Sequence, residues 1–404
     1  MLCRCCNNKL KTFLIDLGKS PVANTLAKKS NEKTKNFDLQ VYICDKCWLL
    51  QTNDLVPQKQ IFKNDYPYFS GYSKTWLNHL NKFVKKIKKN FPDKLKKNVC
   101  EIASNDGSLL EILKSHNIDA FGIEPTRSTY LYSKKKGFKV INSFFTNNFA
   151  KKIKFKSDFI IANNVLAHVP NLNDFIKGIK KFLSHNGVAT FEIQYLPSLI
   201  KFNQFDTIYH EHFSYFSIVA AKNIFNRNNL KIFDCEKINT HGGSIRLYVA
   251  QENNFDLKET KRLSNYYSEE KELGIDKIKF YKNFSKKIKL IKKNTNILIE
   301  KIRKKKKIIS AYGAAAKANT FFNYLGIKND KIKCIIDKNP QKVGKFLPGS
   351  NIPIKSKDYL NKIKPDYIFI MTWNIKDEVV KELNFTKKWG CKFVTFIPKI
   401  KKFN

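Results

Sequence analysis

Short apolar runs alternate with helix-length segments along most of the chain, and this alternation limits the folds open to it. The pattern is typical of βαβ units, in which helices cover a parallel sheet. Two further β-rich runs, at residues 230–236 and 244–249, have no good helix between them and predict an antiparallel hairpin on the same sheet. The sequence therefore predicts a seven-stranded, doubly wound α/β domain, whose other strands lie at residues 99–103, 120–124, 139–141, 158–162 and 188–193.

The alternation restarts near the C-terminus, after a long basic segment. Residues 275–302 carry apolar side chains mostly three and four positions apart, with lysines between them, which predicts one long amphipathic helix with a solvated basic face. The cluster at residues 303–307 suits the negative end of a helix dipole as well as it suits nucleic acid. Further strand-like runs predict a second, smaller Rossmann-like domain, with strands at residues 308–312, 332–337, 367–372 and 392–397.

Five of the nine cysteines fall within the first 47 residues, which is the distribution of a local metal site. Cys3 and Cys6 form one C-x2-C pair, and Cys44 and Cys47 form another. Four thiolates in this arrangement can surround a tetrahedral Zn2+ and leave no position open for substrate, so we expect a structural zinc module. Cys5 offers a competing register and is the expected spectator. The other cysteines are expected to be isolated buried thiols: Cys100, Cys235, Cys334 and Cys391.

The chain has 76 lysines and arginines against 34 acidic residues, and this formal net charge of +42 favours anionic partners. The excess is mostly lysine scattered along the chain, which disfavours nucleic acid as the partner. The N-terminus lacks the apolar core of a secretory signal, and no uninterrupted run of about 18 apolar residues occurs. We therefore expect a soluble cytoplasmic monomer without a membrane partner.

The first predicted strand leads directly into a turn of small residues, ASNDG at 103–107, that opens a helix. A doubly wound sheet binds an adenosyl or dinucleotide ligand at this place, because small residues let the backbone approach it. The turn is not G-x-G-x-x-G, which disfavours a pyrophosphate and favours S-adenosylmethionine. Glu124 ends the next strand, where a carboxylate can accept both ribose hydroxyls or simply cap a helix. The predicted cofactor-binding residues are Glu101, Ala103, Asn105, Gly107, Glu124 and Asn163.

Seven runs follow one another along the chain: EIASNDG at 101–107, FDTIYHEH at 205–212, HGGSIR at 241–246, YGAAAK at 312–317, DKNP at 337–340, LPGSNIPI at 347–354 and WN at 373–374. In these runs the chain resembles the sugar C-methyltransferases that act on nucleotide-linked keto-deoxysugars. Ala103 stands where this family more usually has glycine. The resemblance implies a class I methyltransferase-like fold in three parts: a zinc-binding module at 1–65, an S-adenosylmethionine-dependent methyltransferase domain at 66–255, and a long helix with a Rossmann-like domain at 256–404.

The resemblance also implies a reaction, in which the enzyme removes a proton next to a ketone and the resulting enolate takes the methyl group. It implies His212 as the base, with Tyr209 and Glu211 close by and His168 as a further polar contributor. Either Tyr209 or His168 would stabilise the enolate oxygen. His210 is expected to be buried and silent. The product would be a branched sugar for a surface polysaccharide or a glycosylated molecule.

Candidate substrate-binding residues lie in three places. Tyr68 and Tyr72 belong to the aromatic stretch 66–73, which is placed either to fold over the cofactor or to enter the core. Arg246 follows a glycine pair and lies either on the substrate side or in a structural hairpin. Lys317 ends a glycine-bearing turn that would receive a pyrophosphate, unless the domain keeps the turn without a ligand. The implied substrate is a nucleotide-linked keto sugar.

Two other activities fit the same features. O- or N-methylation of a nucleotide sugar needs a base near a hydroxyl or an amine, but it needs no enolate stabilisation. An RNA methyltransferase would suit the positive net charge and the zinc module. We recognise no RNA-binding module in the sequence, which disfavours the RNA activity.

Overall fold

The computed structural model describes residues 1–53, 55–62 and 67–403. The strands of these residues form three sheets, of which the first belongs to the cysteine-rich module and is antiparallel. Alternate residues of its second strand, Leu39, Val41 and Ile43, are buried, as the two-residue period of a strand with one covered face requires. Its strands from the module are β1 (Thr12–Pro21), β2 (Asn36–Ile43) and β3 (Leu50–Thr52).

The central sheet has seven strands and confirms the predicted doubly wound domain. Its parallel strands are β4 (Val99–Ile102), β5 (Ala120–Ile123), β6 (Val140–Ile141), β7 (Ser157–Asn163) and β8 (Leu183–Gln194). A strand of the first sheet, β9 (Ser214–Tyr215), comes next in the chain. The antiparallel hairpin β10 (Leu230–Ile238) and β11 (Ser244–Gln251) then completes the central sheet. The spatial order is β10-β11-β8-β7-β4-β5-β6.

The helices of this part of the chain connect the strands and cover the sheet. The helix that follows the small-residue turn begins at Ser108, directly after Gly107 in the left-handed conformation. The helices are α1 (Gln58–Ile61), α2 (Lys74–Asn90), α3 (Ser108–Ser115), α4 (Arg127–Lys135), α5 (Asn147–Lys152), α6 (Leu172–Phe182), α7 (Leu196–Lys201) and α8 (Ile218–Asn226).

The prediction of a single long helix over residues 275–302 is wrong for the first part of that range. The chain forms α9 (Lys261–Leu273), a short α10 (Ile278–Tyr281) and then α11 (Phe284–Lys304). The break places two buried aromatic residues, Tyr281 and Phe284, on either side of it, and the Tyr281 hydroxyl donates to the carbonyl of Ile275. The burial of these rings in the tertiary structure thus interrupts the helix that the spacing of apolar residues predicts. No described helix combines the length and apolar character needed to span a membrane.

The C-terminal sheet has six strands and contains the four that the sequence predicts. Two short strands were not predicted, Ile354–Lys355 and the antiparallel edge strand Lys401–Phe403. The strands are β12 (Ile309–Tyr312), β13 (Ile335–Ile336), β14 (Ile354–Lys355), β15 (Tyr367–Ile370), β16 (Lys392–Thr395) and β17 (Lys401–Phe403). The helices are α12 (Ala316–Leu325), α13 (Tyr359–Ile363) and α14 (Lys376–Glu382).

Residues 205–215, which we call the histidine segment, pack between the first sheet and the C-terminal domain. The rings of Phe205 and Phe321 stack with centroids 5.9 Å apart, and the Thr320 hydroxyl donates to the carbonyl of Ile208 at 2.9 Å. Strand β9 forms the other end of the segment and pairs with β3. One buried apolar cluster therefore contains side chains of the first sheet, the histidine segment and α12.

Candidate active site and zinc centre

The two C-x2-C pairs of the sequence come together in the structure. One ligand atom from each of Cys3, Cys6, Cys44 and Cys47 lies within 4.8 Å of every other, and two of the sulfur pairs are 3.4 and 3.5 Å apart. Four thiolates around Zn2+, each about 2.3 Å from the ion, lie about 3.8 Å from one another, so the cluster fits a tetrahedral zinc. Cys5 is buried but is not part of this set.

The zinc module is bonded to the backbone of the histidine segment. Arg4, between two cysteines of the first pair, donates to the carbonyls of Thr52 at 2.9 Å and Phe213 at 3.0 Å. The Thr52 hydroxyl donates to the carbonyl of His212 at 3.2 Å. These bonds, together with the pairing of β3 and β9, fix the position of residue 212 relative to the cysteine cluster.

The ring of His212 has a defined hydrogen-bonding pattern. Its Nδ1 lies 3.1 Å from the carbonyl oxygen of Thr207, and its Nε2 lies 2.7 Å from the hydroxyl of Tyr209. Because a carbonyl can only accept, Nδ1 carries the proton and Nε2 presents a lone pair to the Tyr209 hydroxyl. Burial, with a smaller effect of nearby His168, lowers the pKa of His212 well below its usual value. The ring is therefore neutral at pH 7, and its Nε2 accepts the hydrogen bond of the Tyr209 hydroxyl.

His168, which the family resemblance implies as a further polar contributor, lies next to His212. The two ring centroids are 4.7 Å apart, and Nδ1 of His168 lies 2.7 Å from the carbonyl oxygen of Glu211. Burial lowers the pKa of His168 to about 4, so this ring is also neutral. His210 is buried elsewhere, with its Nε2 3.3 Å from the carbonyl oxygen of Asp38.

The carboxylate of Glu211 does not bond to these histidine rings. Its Oε1 accepts from the backbone and the side-chain nitrogens of Asn24, both at 3.1 Å, and its Oε2 has no hydrogen-bond partner within the described chain. Burial raises the pKa of this carboxyl. Glu211 therefore joins the histidine segment to the N-terminal module.

The predicted cofactor turn has the backbone shape that its small residues permit. Ala103, Asn105 and Gly107 all have positive φ, and a Cβ on Gly107 would lie 2.5 Å from the Ser133 hydroxyl. The turn is held by Glu124, whose Oε2 accepts from the amide of Asn105 at 2.8 Å. Its Oε1 accepts from Thr126 and Thr129.

Several buried polar atoms at this edge of the sheet have no partner among the described residues. They include Oε2 of Glu101, the hydroxyl of Ser104 and both amide atoms of Asn163. Such atoms are rare in folded proteins unless a ligand or water satisfies them. Burial, with smaller effects of Asp106 and Glu124, raises the pKa of Glu101 well above its usual value. Three carboxyl groups close together suit a cationic ligand and oppose a phosphate.

An apolar cavity of about 140 Å3 opens beside the same turn. Its walls come from the carboxyl ends of several parallel strands and the loops that follow, and His168 is part of them. The cavity therefore connects the cofactor turn with His168. Representative lining residues are Ala103, Ile123, Phe144, Val165 and Phe175.

The aromatic stretch lies over the cofactor turn. The amide and hydroxyl of Ser70 donate to Asn105 and Asp106, and the amide of Gly71 donates to Asp106. Tyr68 and Tyr72 each remain 45% exposed, so they cover the turn without entering the core. Tyr66, which the predicted stretch includes, lies outside the described residues.

Arg246 and Lys317, the two basic candidates for substrate binding, both have protein partners. Arg246 is buried and forms ion pairs with Glu192 and Glu236. Lys317 donates to the Asn374 side chain at 2.9 Å, and its ammonium lies 4.4 Å from the centroid of the Trp373 ring. The structure therefore does not bring Arg246 together with the histidine pair, and it places Lys317 where the C-terminal domain meets the histidine segment.

Sequence reasoning did not single out the residues that support the histidines. Arg4 donates to the carbonyl of Phe213, and Thr52 donates to the carbonyl of His212. The carbonyl of Thr207 accepts from the His212 ring, and Asn24 donates to the carboxylate of Glu211. The sequence presents His241 only within the HGGSIR motif; in the structure its φ is 52° and its ring centroid lies 5.3 Å from that of Trp76. The position of Arg4 between two ligand cysteines is the one sequence signal that was available.

Family profiles match three parts of the chain. A zinc binding domain matches residues 3–62, a methyltransferase domain matches residues 76–234, and the C-methyltransferase C-terminal domain matches residues 239–398. C-methyltransferase NovU of Streptomyces niveus is 27% identical over 401 residues, which are 98% of this chain and 95% of that protein. The chain belongs to the S-adenosylmethionine-dependent C-methyltransferases.

Solved structures of other proteins match part of this C-methyltransferase. Magnesium protoporphyrin IX methyltransferase from Synechocystis PCC 6803, solved with S-adenosylmethionine, is 13% identical and has a TM-score of 0.37. The match covers 50% of this chain and all of that chain. The PH0226 protein of Pyrococcus horikoshii is 12% identical, with a TM-score of 0.37, and the match covers 49% and 99% of the two chains.

The cysteine cluster yields a prediction for the zinc of this C-methyltransferase. Replacing Cys44 by serine removes one of four thiolate ligands, so we expect the bound zinc to fall well below one ion per chain and the unfolding temperature to fall with it. Elemental analysis and a thermal melt measure the two effects. Cys5→Ser is the matched control and should keep its zinc. An unchanged zinc content in Cys44→Ser would contradict the ligand set.

Proposed function

We propose that this enzyme methylates a carbon next to the ketone of a nucleotide-linked deoxysugar, with His212 as the base. The observation that carries the proposal is the neutral His212 ring, whose Nε2 lone pair is held toward the Tyr209 hydroxyl. A proton next to a ketone is removed by a positioned base while a donor stabilises the developing oxyanion. The product would be a branched sugar for a surface polysaccharide or a glycosylated molecule.

The residues at the edge of the central sheet fit S-adenosylmethionine, which supplies an electrophilic methyl group when it is bound. Glu124 would accept the ribose hydroxyls, and the apolar cavity would take the adenine ring. The unpartnered atoms of Glu101 and Asn163 would bind the amino-acid end of the donor. Carboxyl groups at this place match a donor that carries positive charge and explain why a dinucleotide is disfavoured.

Tyr209 has a second use in this scheme. Its hydroxyl occupies the approach to Nε2 of His212, which is the position that a substrate C–H would take. A substrate that displaces this hydroxyl exposes the Nε2 lone pair to its C–H, and the Tyr209 hydroxyl can then donate to the ketone oxygen. Nδ1 of His212 keeps its bond to Thr207 throughout, so the carbonyl of Thr207 stabilises the imidazolium that forms.

The ribose assignment predicts the effect of removing Glu124. Glu124→Ala loses a charged acceptor and releases the amide of Asn105, so we expect the dissociation constant of S-adenosylmethionine to rise by about tenfold or more. Calorimetry measures it directly. The control is Glu111→Ala, an exposed carboxylate on α3 that pairs with Lys136. Equal affinities of wild type and Glu124→Ala would remove Glu124 from the donor site.

The base assignment predicts that His212→Ala loses methyl transfer by about a hundredfold to ten-thousandfold, while its affinity for S-adenosylmethionine stays within a few-fold. The sharper measurement is exchange of the proton next to the ketone when a nucleotide-linked keto sugar is incubated in D2O without donor. Wild type should exchange it and His212→Ala should not. His185→Ala, an exposed histidine that bonds to Asn186, is the control. Methylation without exchange in wild type would favour transfer to oxygen or nitrogen.

The lowered pKa of His212 predicts the pH dependence of the same exchange. Only the neutral ring can accept a proton, and its protonation requires a lower pH than for an ordinary histidine. The exchange rate should therefore stay level from about pH 8 to about pH 6 and fall only in more acidic solution. Circular dichroism at each pH shows whether the fold persists. A rate that already declines near neutral pH would contradict a neutral, buried base.

A further inference from the structure

A turn at residues 240–243 joins strands β10 and β11. Its backbone is left-handed at His241, Gly242 and Gly243, with φ of 52°, 89° and 115°. Glycine adopts such angles freely, whereas the Cβ of His241 makes the left-handed conformation costly. A conformation of this kind persists only where the surrounding structure holds it. The contacts of the turn should therefore account for the position of the His241 ring.

Side chains of the central domain hold this turn. The Thr240 hydroxyl donates to Oε1 of Glu192 at 2.9 Å, and Glu192 is fully buried and ion-paired with Arg246. The carbonyl of Gly242 accepts from the side chain of Gln204 at 2.6 Å. Glu192 lies in β8 and Gln204 directly precedes the histidine segment, so the turn is bonded to both. Arg246, a candidate for substrate binding in the sequence, thus belongs to the support of this turn.

The indole of Trp373 joins the same turn to the histidine segment and to the C-terminal domain. A Cβ on Gly242 would lie 2.2 Å from this ring, so the ring occupies space that only a glycine leaves. The indole nitrogen donates to Oδ2 of Asp206, in the histidine segment, at 2.7 Å. The ammonium of Lys317 lies over the ring, 4.4 Å from its centroid. The turn, the histidine segment and Lys317 therefore meet around one ring.

The ring of His241 has a fixed position within this arrangement. Its centroid lies 5.3 Å from that of Trp76, and within the described chain its nitrogens make no hydrogen bond. Burial, with a smaller effect of Lys317, lowers the pKa of His241 to about 4, so the ring is neutral at pH 7. After burial and His168, His241 and Lys317 also contribute to the lowered pKa of His212. The three groups are consequently close enough to interact through space.

The neutral ring of His241 offers a ligand one N–H donor and one lone pair. A hydroxyl group is likewise both a donor and an acceptor, whereas a ketone oxygen can only accept. The ring therefore matches a hydroxyl better than it matches the ketone, for which Tyr209 is the proposed donor.

We propose that His241 contacts the acceptor and hydrogen-bonds a hydroxyl of its sugar ring, near the carbon that His212 deprotonates. The inference rests on the proposed function, because it takes a keto sugar as the acceptor. His241 then determines which sugars are accepted, because a site built to hydrogen-bond a hydroxyl rejects an analogue that lacks it. The hairpin of β10 and β11 thus contributes to acceptor selection as well as to the sheet.

The test replaces His241 by glycine, which removes the ring but adopts the left-handed backbone freely. Calorimetry measures the binding of keto-deoxysugars linked to thymidine, uridine or guanosine diphosphate by the full-length enzyme without donor. The acceptor that wild type binds most tightly should bind about fivefold or more weakly to His241→Gly. Asn229→Gly is the matched control, because it makes the same replacement at an exposed residue with φ of 55°. It should bind the acceptor within about twofold of wild type.

Analogues of that acceptor, each lacking one sugar hydroxyl, separate a direct contact from a structural effect. One analogue should bind wild type about fivefold or more weakly than the parent does, yet bind His241→Gly about as well as the parent. A merely structural role would weaken parent and analogue equally in the variant. His241→Asn, which also tolerates positive φ, repeats the comparison if the glycine variant has a lowered melting temperature.

The outcomes distinguish this contact from the proposed reaction, because binding needs no methyl transfer. Loss of the analogue discrimination in His241→Gly, without proton exchange of any keto sugar in D2O, would establish the contact and overturn the reaction. Three results would overturn the contact while exchange persists: His241→Gly binds the acceptor as wild type does, it loses affinity for the parent and every analogue alike, or Asn229→Gly weakens binding equally. Binding of no keto sugar to wild type would overturn both.

Discussion

The position of His212 depends on hydrogen bonds that the histidine segment makes to both neighbouring domains. On one side, Thr52 donates to the carbonyl of His212 and Arg4 to that of Phe213, next to the cysteine cluster. On the other side, Thr320 of α12 donates to the carbonyl of Ile208. Backbone bonds of this kind do not depend on the identity of the residues they hold, so the two flanking domains fix the segment while leaving its side chains free for chemistry.

Charge is divided across the structure in a way that follows the proposed chemistry. Glu101, Asp106 and Glu124 gather at the carboxyl edge of the central sheet, although lysines and arginines far outnumber acidic residues over the whole sequence. This acidic set suits a cationic ligand and opposes a phosphate. The distribution of the acidic residues in the structure is therefore more informative about function than the net charge of +42.

The sequence predicts the central sheet well because its signal is local. Strands β4 to β8 alternate with helices over short stretches of sequence. The spacing within each cysteine pair likewise indicates a shared metal site. The helix break at Tyr281 and Phe284 could not be predicted, because it depends on what those rings pack against. The same holds for the bond between Asn24 and Glu211, and for Arg246, whose acidic partners come from two other strands. Contacts between distant parts of the chain leave no mark in a local pattern.

Strand β9 belongs to the zinc module's sheet in space but to the central domain in sequence. An exchange of the first 60 or so residues with those of a relative would have to keep the side chains of Leu50 and Tyr215 compatible, because these paired residues are both buried in one apolar cluster. The buried surfaces of the module and of the methyltransferase domain consequently have to match each other. The lineage of the module and that of the methyltransferase domain are expected to branch together.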